Sequence, residues 1–328
     1  MAIEILLLVL GLGIIAAGAH FMVEGSSRIA SRFGISDMVI GMTVVAIGTS
    51  APEMVVSLMG ALKGSVGIAV GNVVGSNICN ILLIIGLSTL IFPMAVSREI
   101  INRDMQFMFL STIALLTISF DVQINSLTID DDMSSNFISR SEGIILVLFF
   151  LIFIVYSIAS AKRGERTVEK ASEEDKPKKQ NMLLSLVMVA GGLAALIFGG
   201  DMLVDNATLI AKSAGVSDVV IGSTIVAIGT SLPELATSVV AAIRKKVGLA
   251  LGNVVGSNIF NVFLILGGCA TISPLPLANI NHIHFVFLLL ATILLLLTAR
   301  TSFKIRRIEG AVLLAFYALY IIVNISVR

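Results

Sequence analysis

Two polar strings interrupt an otherwise apolar chain, and each of them occurs twice. Gly48-Thr49-Ser50-Ala51-Pro52-Glu53 returns as Gly229-Thr230-Ser231-Leu232-Pro233-Glu234. Gly71-Asn72-Val73-Val74-Gly75-Ser76-Asn77-Ile78-Cys79-Asn80 returns as Gly252-Asn253-Val254-Val255-Gly256-Ser257-Asn258-Ile259-Phe260-Asn261. One ungapped offset of about 181 residues aligns both pairs, and about 29 of 49 positions are identical from Met38 to Gly86, far beyond what shared hydrophobicity gives. Any fold for this chain must house the same polar unit twice, and must do so among apolar residues. Hydrophobic residues make up 57% of the sequence and charged residues 13%, with a mean hydropathy of +1.02. Those values lie outside the range of soluble globular domains and indicate an all-α integral membrane protein.

Ten stretches approach the ~20 residues a helix needs to cross a bilayer. They run from Ile3 to Val23, Met38 to Leu62, Val66 to Phe92, Met105 to Phe120, Gly143 to Ala161, Met182 to Val204, Val219 to Ile243, Val247 to Ile272, Phe285 to Leu297 and Gly310 to Val327. Several are glycine-rich, as close helix packing in lipid favours. The first has no basic segment before it, carries Glu4 and aligns with the start of the second repeat, so it reads as a retained span rather than a signal peptide. With ten spans, about 18 Lys and Arg fall in loops on one side and only Lys63, Arg140, Lys212 and Arg328 on the other. The positive-inside rule then puts both termini outside and the central loop in the cytoplasm of a plasma-membrane protein. Five spans per repeat is an odd number, so the second copy enters from the opposite face and the repeats are inverted.

This reading divides the chain into a first five-helix repeat (1–161), a charged cytoplasmic linker (162–180) and a second, inverted repeat (181–328). Asp130-Asp131-Asp132 reads as a solvated acidic loop. A net charge of +1 and the absence of any nucleic-acid module exclude nucleic acid as a partner. Cys79 and Cys269 lie in apolar stretches and read as small packing residues rather than a disulfide. Nothing in the sequence specifies an oligomeric state.

Within each copy, proline near mid-span should break the helix, because it lacks an amide hydrogen and clashes with the preceding turn. Broken backbone at membrane depth is tolerated only inside protein or along a cavity, so carbonyls around Ala46 and Ala227 become candidate ligands. The hydroxyls of Thr49, Ser50, Thr230 and Ser231 lie beside them. Glu53 and Glu234 add charge, at a cost of at least ~2.5 kcal/mol each in mid-membrane, which calls for a compensating cation or proton. Ser76 and Asn80, like Ser257 and Asn261, fall four residues apart on one helical face. All of these are hard oxygen donors, suited to calcium and alkali ions rather than zinc, copper or iron. Two carboxylates balance one Ca²⁺, two Na⁺ or two protons, and an empty pair should take up at least one proton.

The paired G-T-S-x-P-E and G-N-x-x-G-S-N-x-x-N strings resemble the two alpha repeats of the calcium/cation antiporter superfamily, and within it the prokaryotic sodium/calcium exchangers. The resemblance implies ten helices with broken core helices and exchange of Ca²⁺ for Na⁺ by alternating access. It also implies roles by motif position: Glu53 and Glu234 as central Ca²⁺ ligands, and Asn80 and Asn261 between them. The carbonyls of Ala46 and Ala227, with Thr49, Thr230, Ser50, Ser76, Ser231 and Ser257, would line the Na⁺ and Ca²⁺ sites. Some members carry Asp where this chain has Asn261, so proton coupling through that position is not available here. The first and sixth spans resemble the family's sliding bundle, with His20 and Glu24 aligned on Asp201 and Asp205 and read as interfacial polar ends.

Two other readings compete: Ca²⁺/H⁺ or K⁺-dependent Na⁺/Ca²⁺ exchange, and an ion channel or intramembrane enzyme. An enzyme needs a nucleophile and a positioned base, yet His20, His282 and His284 lie outside the repeated motifs. The sequence therefore points to a transporter with no catalytic residues and no cofactor, whose substrates are Ca²⁺ and Na⁺.

Overall fold

The computed structural model describes residues 2–125, 136–168, 181–213, 227–277 and 280–326. They are almost entirely helical. Seven helices are long and apolar enough to cross a membrane, and Asp37–Thr49 with Ala51–Leu62 forms an eighth candidate span, bent by 48° at its break. We number the principal helices α1 (Ala2–Phe33), α2 (Asp37–Thr49), α3 (Ala51–Leu62), α4 (Gly67–Ile91), α5 (Met105–Ser119), α6 (Arg140–Val168), α7 (Met182–Ser213), α8 (Ala227–Thr230), α9 (Leu232–Ile243), α10 (Val247–Ile272), α11 (Ile283–Ser302) and α12 (Arg307–Ser326). The acidic run Asp130-Asp131-Asp132 and the 219–226 part of the expected seventh span lie outside the described residues. Helix α6 continues through the first residues of the expected linker to Val168, and 169–180 also lie outside the described residues.

Burial separates centre from periphery. In the most apolar windows, 94% of α10 and 72% of α4 are enclosed by protein, against 28% or less of α1, α6, α7 and α12. The two helices that carry the repeated asparagines are therefore the middle of the molecule, and the outer helices present apolar faces of the kind that suits lipid.

The seam between α1 and α7 is built from small residues at a strict seven-residue interval: Gly11, Gly18 and Gly25 on one helix, Ser185, Gly192 and Gly199 on the other. A Cβ placed on Gly18 would sit 2.8 Å from the Gly192 carbonyl oxygen, and one on Gly192 would sit 2.7 Å from that of Gly18. Backbones meet directly there, as small residues permit in membrane helices. A seven-residue period keeps the seam on one face only if the helices coil left-handed about each other.

Two strand pairs tie the halves together. Met94–Ala95, after α4, runs antiparallel to Lys304–Ile305, after α11. Phe137–Ile138, before α6, pairs with Leu275–Pro276, after α10. Leu275 is Met94 plus 181, so equivalent segments of the two repeats are each held by the other repeat.

Candidate cation-binding site

The chain breaks at Ser50 (φ −82°, ψ 9°) and Ser231 (φ −87°, ψ 5°), and a new helix begins at the next residue. Pro52 and Pro233 fall in the first turn of that helix, where the missing amide hydrogen has no partner to lose. The break thus precedes the proline instead of centring on it. Ala46 is buried, and its carbonyl accepts the Ser50 amide at 3.0 Å and the Thr49 hydroxyl at 3.4 Å. In the second copy the Ser231 amide reaches the Ile228 carbonyl at 3.1 Å, a tighter turn after Ala227.

Restarting the helix places Glu53 and Glu234 in its first turn, where the helix dipole favours a negative charge. Each is 1% exposed. Most of the polar contacts around them have a counterpart across the repeats. Ser50 Oγ donates to Glu234 Oε1 at 2.7 Å and Ser231 Oγ to Glu53 Oε1 at 3.2 Å. Ser50 Oγ lies 3.0 Å from Ser257 Oγ, and Ser231 Oγ 3.2 Å from Ser76 Oγ. The Thr49 hydroxyl donates to Asn253 Oδ1 at 3.1 Å and that of Thr230 to Asn72 Oδ1 at 3.4 Å. Asn253 in turn bonds Ser238 Oγ and the Glu234 carbonyl, and Asn72 bonds Ser57 Oγ and the Glu53 carbonyl.

The central asparagines are oriented the same way. Asn80 and Asn261 each open a π-helical turn, a local widening common at functional sites. Asn80 Nδ2 donates to Asn258 Oδ1 at 3.1 Å, and Asn261 Nδ2 to Asn77 Oδ1 at 3.0 Å. Asn77 donates to the Asn258 carbonyl at 3.2 Å, whereas Asn258 Nδ2 meets Met108 Sδ at 3.6 Å. With both nitrogens committed outward, the amide oxygens of Asn80 and Asn261 point the other way.

These oxygens are left over. Glu53 Oε2, Glu234 Oε2, Asn80 Oδ1 and Asn261 Oδ1 are all buried with no hydrogen-bond partner. A buried acceptor without a donor costs about 1–3 kcal/mol, and more when charged. Four such atoms come from two matching motifs, and they are of the hard oxygen type that a desolvated cation accepts. The atoms gathered around the two glutamates are carboxylate, amide and hydroxyl oxygens, a donor set that suits a hard cation rather than a transition metal.

Of the residues singled out from sequence, Glu53, Glu234, Thr49, Ser50, Ser231, Ser76, Ser257, Asn80 and Asn261 are buried together. Thr230 joins them through Asn72, while Ala46 and Ala227 flank the breaks. Asn72, Asn77, Asn253 and Asn258, which read from sequence as packing or hydrogen-bonding residues, make the holding hydrogen bonds. Nothing in the sequence pointed to Ser57, Ser238 or Met108. Cys79 and Cys269 are free and buried.

Known proteins match the chain over nearly its full length. The model of the sodium/calcium exchanger protein family matches residues 3–159 and 184–326. The chain is 33% identical over 346 residues to the sodium/calcium exchanger MaX1 of Methanosarcina acetivorans, covering 98% of each. It is 38% identical over 319 residues to an uncharacterized membrane protein of Methanocaldococcus jannaschii, covering 97% of this chain and 96% of the relative. The structure of the sodium-calcium exchanger NCX_Mj soaked with zero Na⁺ and Ca²⁺ superposes with a TM-score of 0.81 at 34% identity, covering 100% of both chains. On this agreement of family model, sequence identity and fold, the chain is a multi-pass membrane protein that belongs to the sodium/calcium exchanger family.

Proposed function

We propose that this protein exchanges Ca²⁺ for Na⁺ across the plasma membrane by alternating access, through ten helices arranged as two inverted five-helix repeats. The observation that carries the reading is the cage of four unpartnered buried oxygens, two of them carboxylate. Glu53 and Glu234 supply two negative charges, matching one Ca²⁺ or two Na⁺, while Asn80, Asn261 and the serine and threonine hydroxyls supply neutral oxygen. The carbonyls of Ala46 and Ala227 complete the proposed lining. Binding of one ion species excludes the other because both draw on the same two charges. An empty cage, even after taking up a proton, leaves a carboxylate charge buried without a cation, at several kcal/mol, so the empty protein is held back from switching. That cost couples the two fluxes.

Packing on the two sides of the cage supports alternating access. Helix α2 lies against α10 so closely that a Cβ on Gly41 would be 2.7 Å from the Leu249 carbonyl, and Gly252 is buried. The matching Gly71 on α4 is exposed. With the orientation drawn from the Lys and Arg distribution, the closely packed α2–α10 side is cytoplasmic; the segment that corresponds to α2 in the second repeat lies outside the described residues.

The test is Ca²⁺ uptake into vesicles of the purified chain under imposed Na⁺, K⁺ or pH gradients. Outward Na⁺ gradients are expected to drive uptake, with K⁺ and pH gradients without effect. Uptake indifferent to Na⁺ refutes the reading, and conduction of Ca²⁺ without a counter-ion makes the protein a channel.

A further inference from the structure

The repeats also match outside the cage. The 181-residue offset continues without a gap from the cage motifs back into α1 and α7, so Glu24 corresponds to Asp205, and it pairs Lys63 with Arg244. Lys63 and Arg244 open equivalent turns, one joining α3 to α4 and the other α9 to α10. The next residue in both turns is left-handed, Gly64 at φ 71° and Lys245 at φ 61°. Each repeat thus sets an acid on its long outer helix and a base at the turn of its core, at positions related by the same offset.

Only one of these two pairs is made. Arg244 Nη1 lies 2.7 Å from Glu24 Oε2, and Arg28 Nε holds the other carboxylate oxygen at 2.9 Å. Arg244 Nη2 lies 2.6 and 2.9 Å from the two ring nitrogens of His20, donating to the one that carries the lone pair. Lys246, in the same turn, pairs with Asp37 at the start of α2 at 3.4 Å. Asp205 and Lys63 are both exposed, and neither makes an ion pair among the described residues. The closed pair sits at the end where α1 packs on α9 and α2 packs on α10.

We propose that Glu24–Arg244 and Asp205–Lys63 are reciprocal latches of the transport cycle: the first holds the present conformation, and the second forms as the first opens, holding the opposite one. The idea rests on the alternating-access reading above. The glycine seam makes α1 and α7 a single body, so a shift of that body which withdraws Glu24 from Arg244 carries Asp205 along with it toward Lys63. The latches are not equal. Ser65 stands where the second repeat has Lys246, so the supporting pair to Asp37 has no equivalent, and the balance is biased toward the present state.

Proximity of the second pair can be read without measuring flux. In the otherwise native protein, Lys63→Cys and Asp205→Cys are treated with a short, cleavable bifunctional thiol reagent; Cys79 and Cys269 are buried. Adding Arg244→Gln is expected to raise the cross-linking yield about fivefold, the scale of one partly exposed ion pair. Arg244→Lys, which keeps the charge, is expected to return the yield to that of the parent. The cross-linked protein should be unable to exchange until the reagent is cleaved. A yield unaffected by Arg244→Gln, a yield left high by Arg244→Lys, or normal exchange in the cross-linked form overturns the latch. Parent protein that cross-links as expected but shows no Na⁺-driven Ca²⁺ uptake overturns the exchange reading instead.

Discussion

Glu234→Gln separates the two consequences of a buried carboxylate that has no partner. The substitution keeps size and shape, and the side-chain carbonyl still accepts the Ser50 hydroxyl that Glu234 Oε1 accepts at 2.7 Å. It replaces Oε2, which has no hydrogen-bond partner, with an NH₂ group, supplying a donor to a cage that holds only acceptors. Loss of one partner from a buried charge pair costs about 3–5 kcal/mol, so Ca²⁺ binding should weaken on the order of 10²–10⁴-fold. The ion-free protein should change in the opposite direction, because the repulsion between two buried carboxylates, relieved in the parent only by taking up a proton, has been removed. Its melting temperature in Ca²⁺- and Na⁺-free buffer is expected to rise, while stabilisation by added Ca²⁺ all but disappears. Thermal unfolding over a Ca²⁺ titration, with calorimetric binding on the same samples, measures both. A variant that binds Ca²⁺ within tenfold of the parent, or whose ion-free form melts lower, refutes the oxygen-cage argument.

Other substitutions probe the supporting structure. Asn258→Leu removes the acceptor that fixes the Asn80 amide at 3.1 Å; Ca²⁺ affinity in a filter-binding assay should fall about tenfold, in line with a hydrogen bond worth roughly 1–1.5 kcal/mol. Met108→Leu costs only a 3.6 Å contact to sulfur, and is expected to change that affinity by less than about threefold, sulfur being a weak acceptor. Gly192→Val should prevent close approach of α1 and α7 and lower the yield of folded, monodisperse protein on gel filtration, whereas Gly13→Ala, where a Cβ meets nothing within 4 Å, should leave it unchanged. Pro52→Ala should leave Ca²⁺-dependent stabilisation within about twofold, because proline in a first helical turn removes no hydrogen bond; a collapse of binding would mean that the proline itself makes the break.

The parts legible in sequence were those that composition and duplication impose: the membrane setting, the doubled motif and the oxygen donors within it. Glu53 and Glu234 stood out because a charge is costly among apolar helices, and that cost is local. The function of Asn77 and Asn258 was not local, since each binds a residue about 180 positions away. Their spacing fits simple helix packing equally well. The π-helical turns at Asn80 and Asn261 leave no mark on hydrophobic periodicity, because one extra residue per turn shifts a face that is buried all round. The glycine interval in α1 and α7 was present in the letters, but one glycine-rich helix shows no seam until its partner is known. The end of α6 ran past the expected Ala161 because Lys162, Arg163, Glu165 and Arg166 are capable helix formers, and charge alone does not stop a helix that leaves the bilayer.

The strand pairs bear on how such a chain is made. Met94–Ala95 is translated some 200 residues before Lys304–Ile305, and Phe137–Ile138 well before Leu275–Pro276. During synthesis the first repeat must therefore wait in the membrane with its edges open and its asparagines unanswered. Neither repeat is a finished folding unit, and the first is completed only as the second arrives. Truncation ahead of Lys304 would accordingly be felt at Met94, on the far side of the sequence, before it touched any residue of the cage.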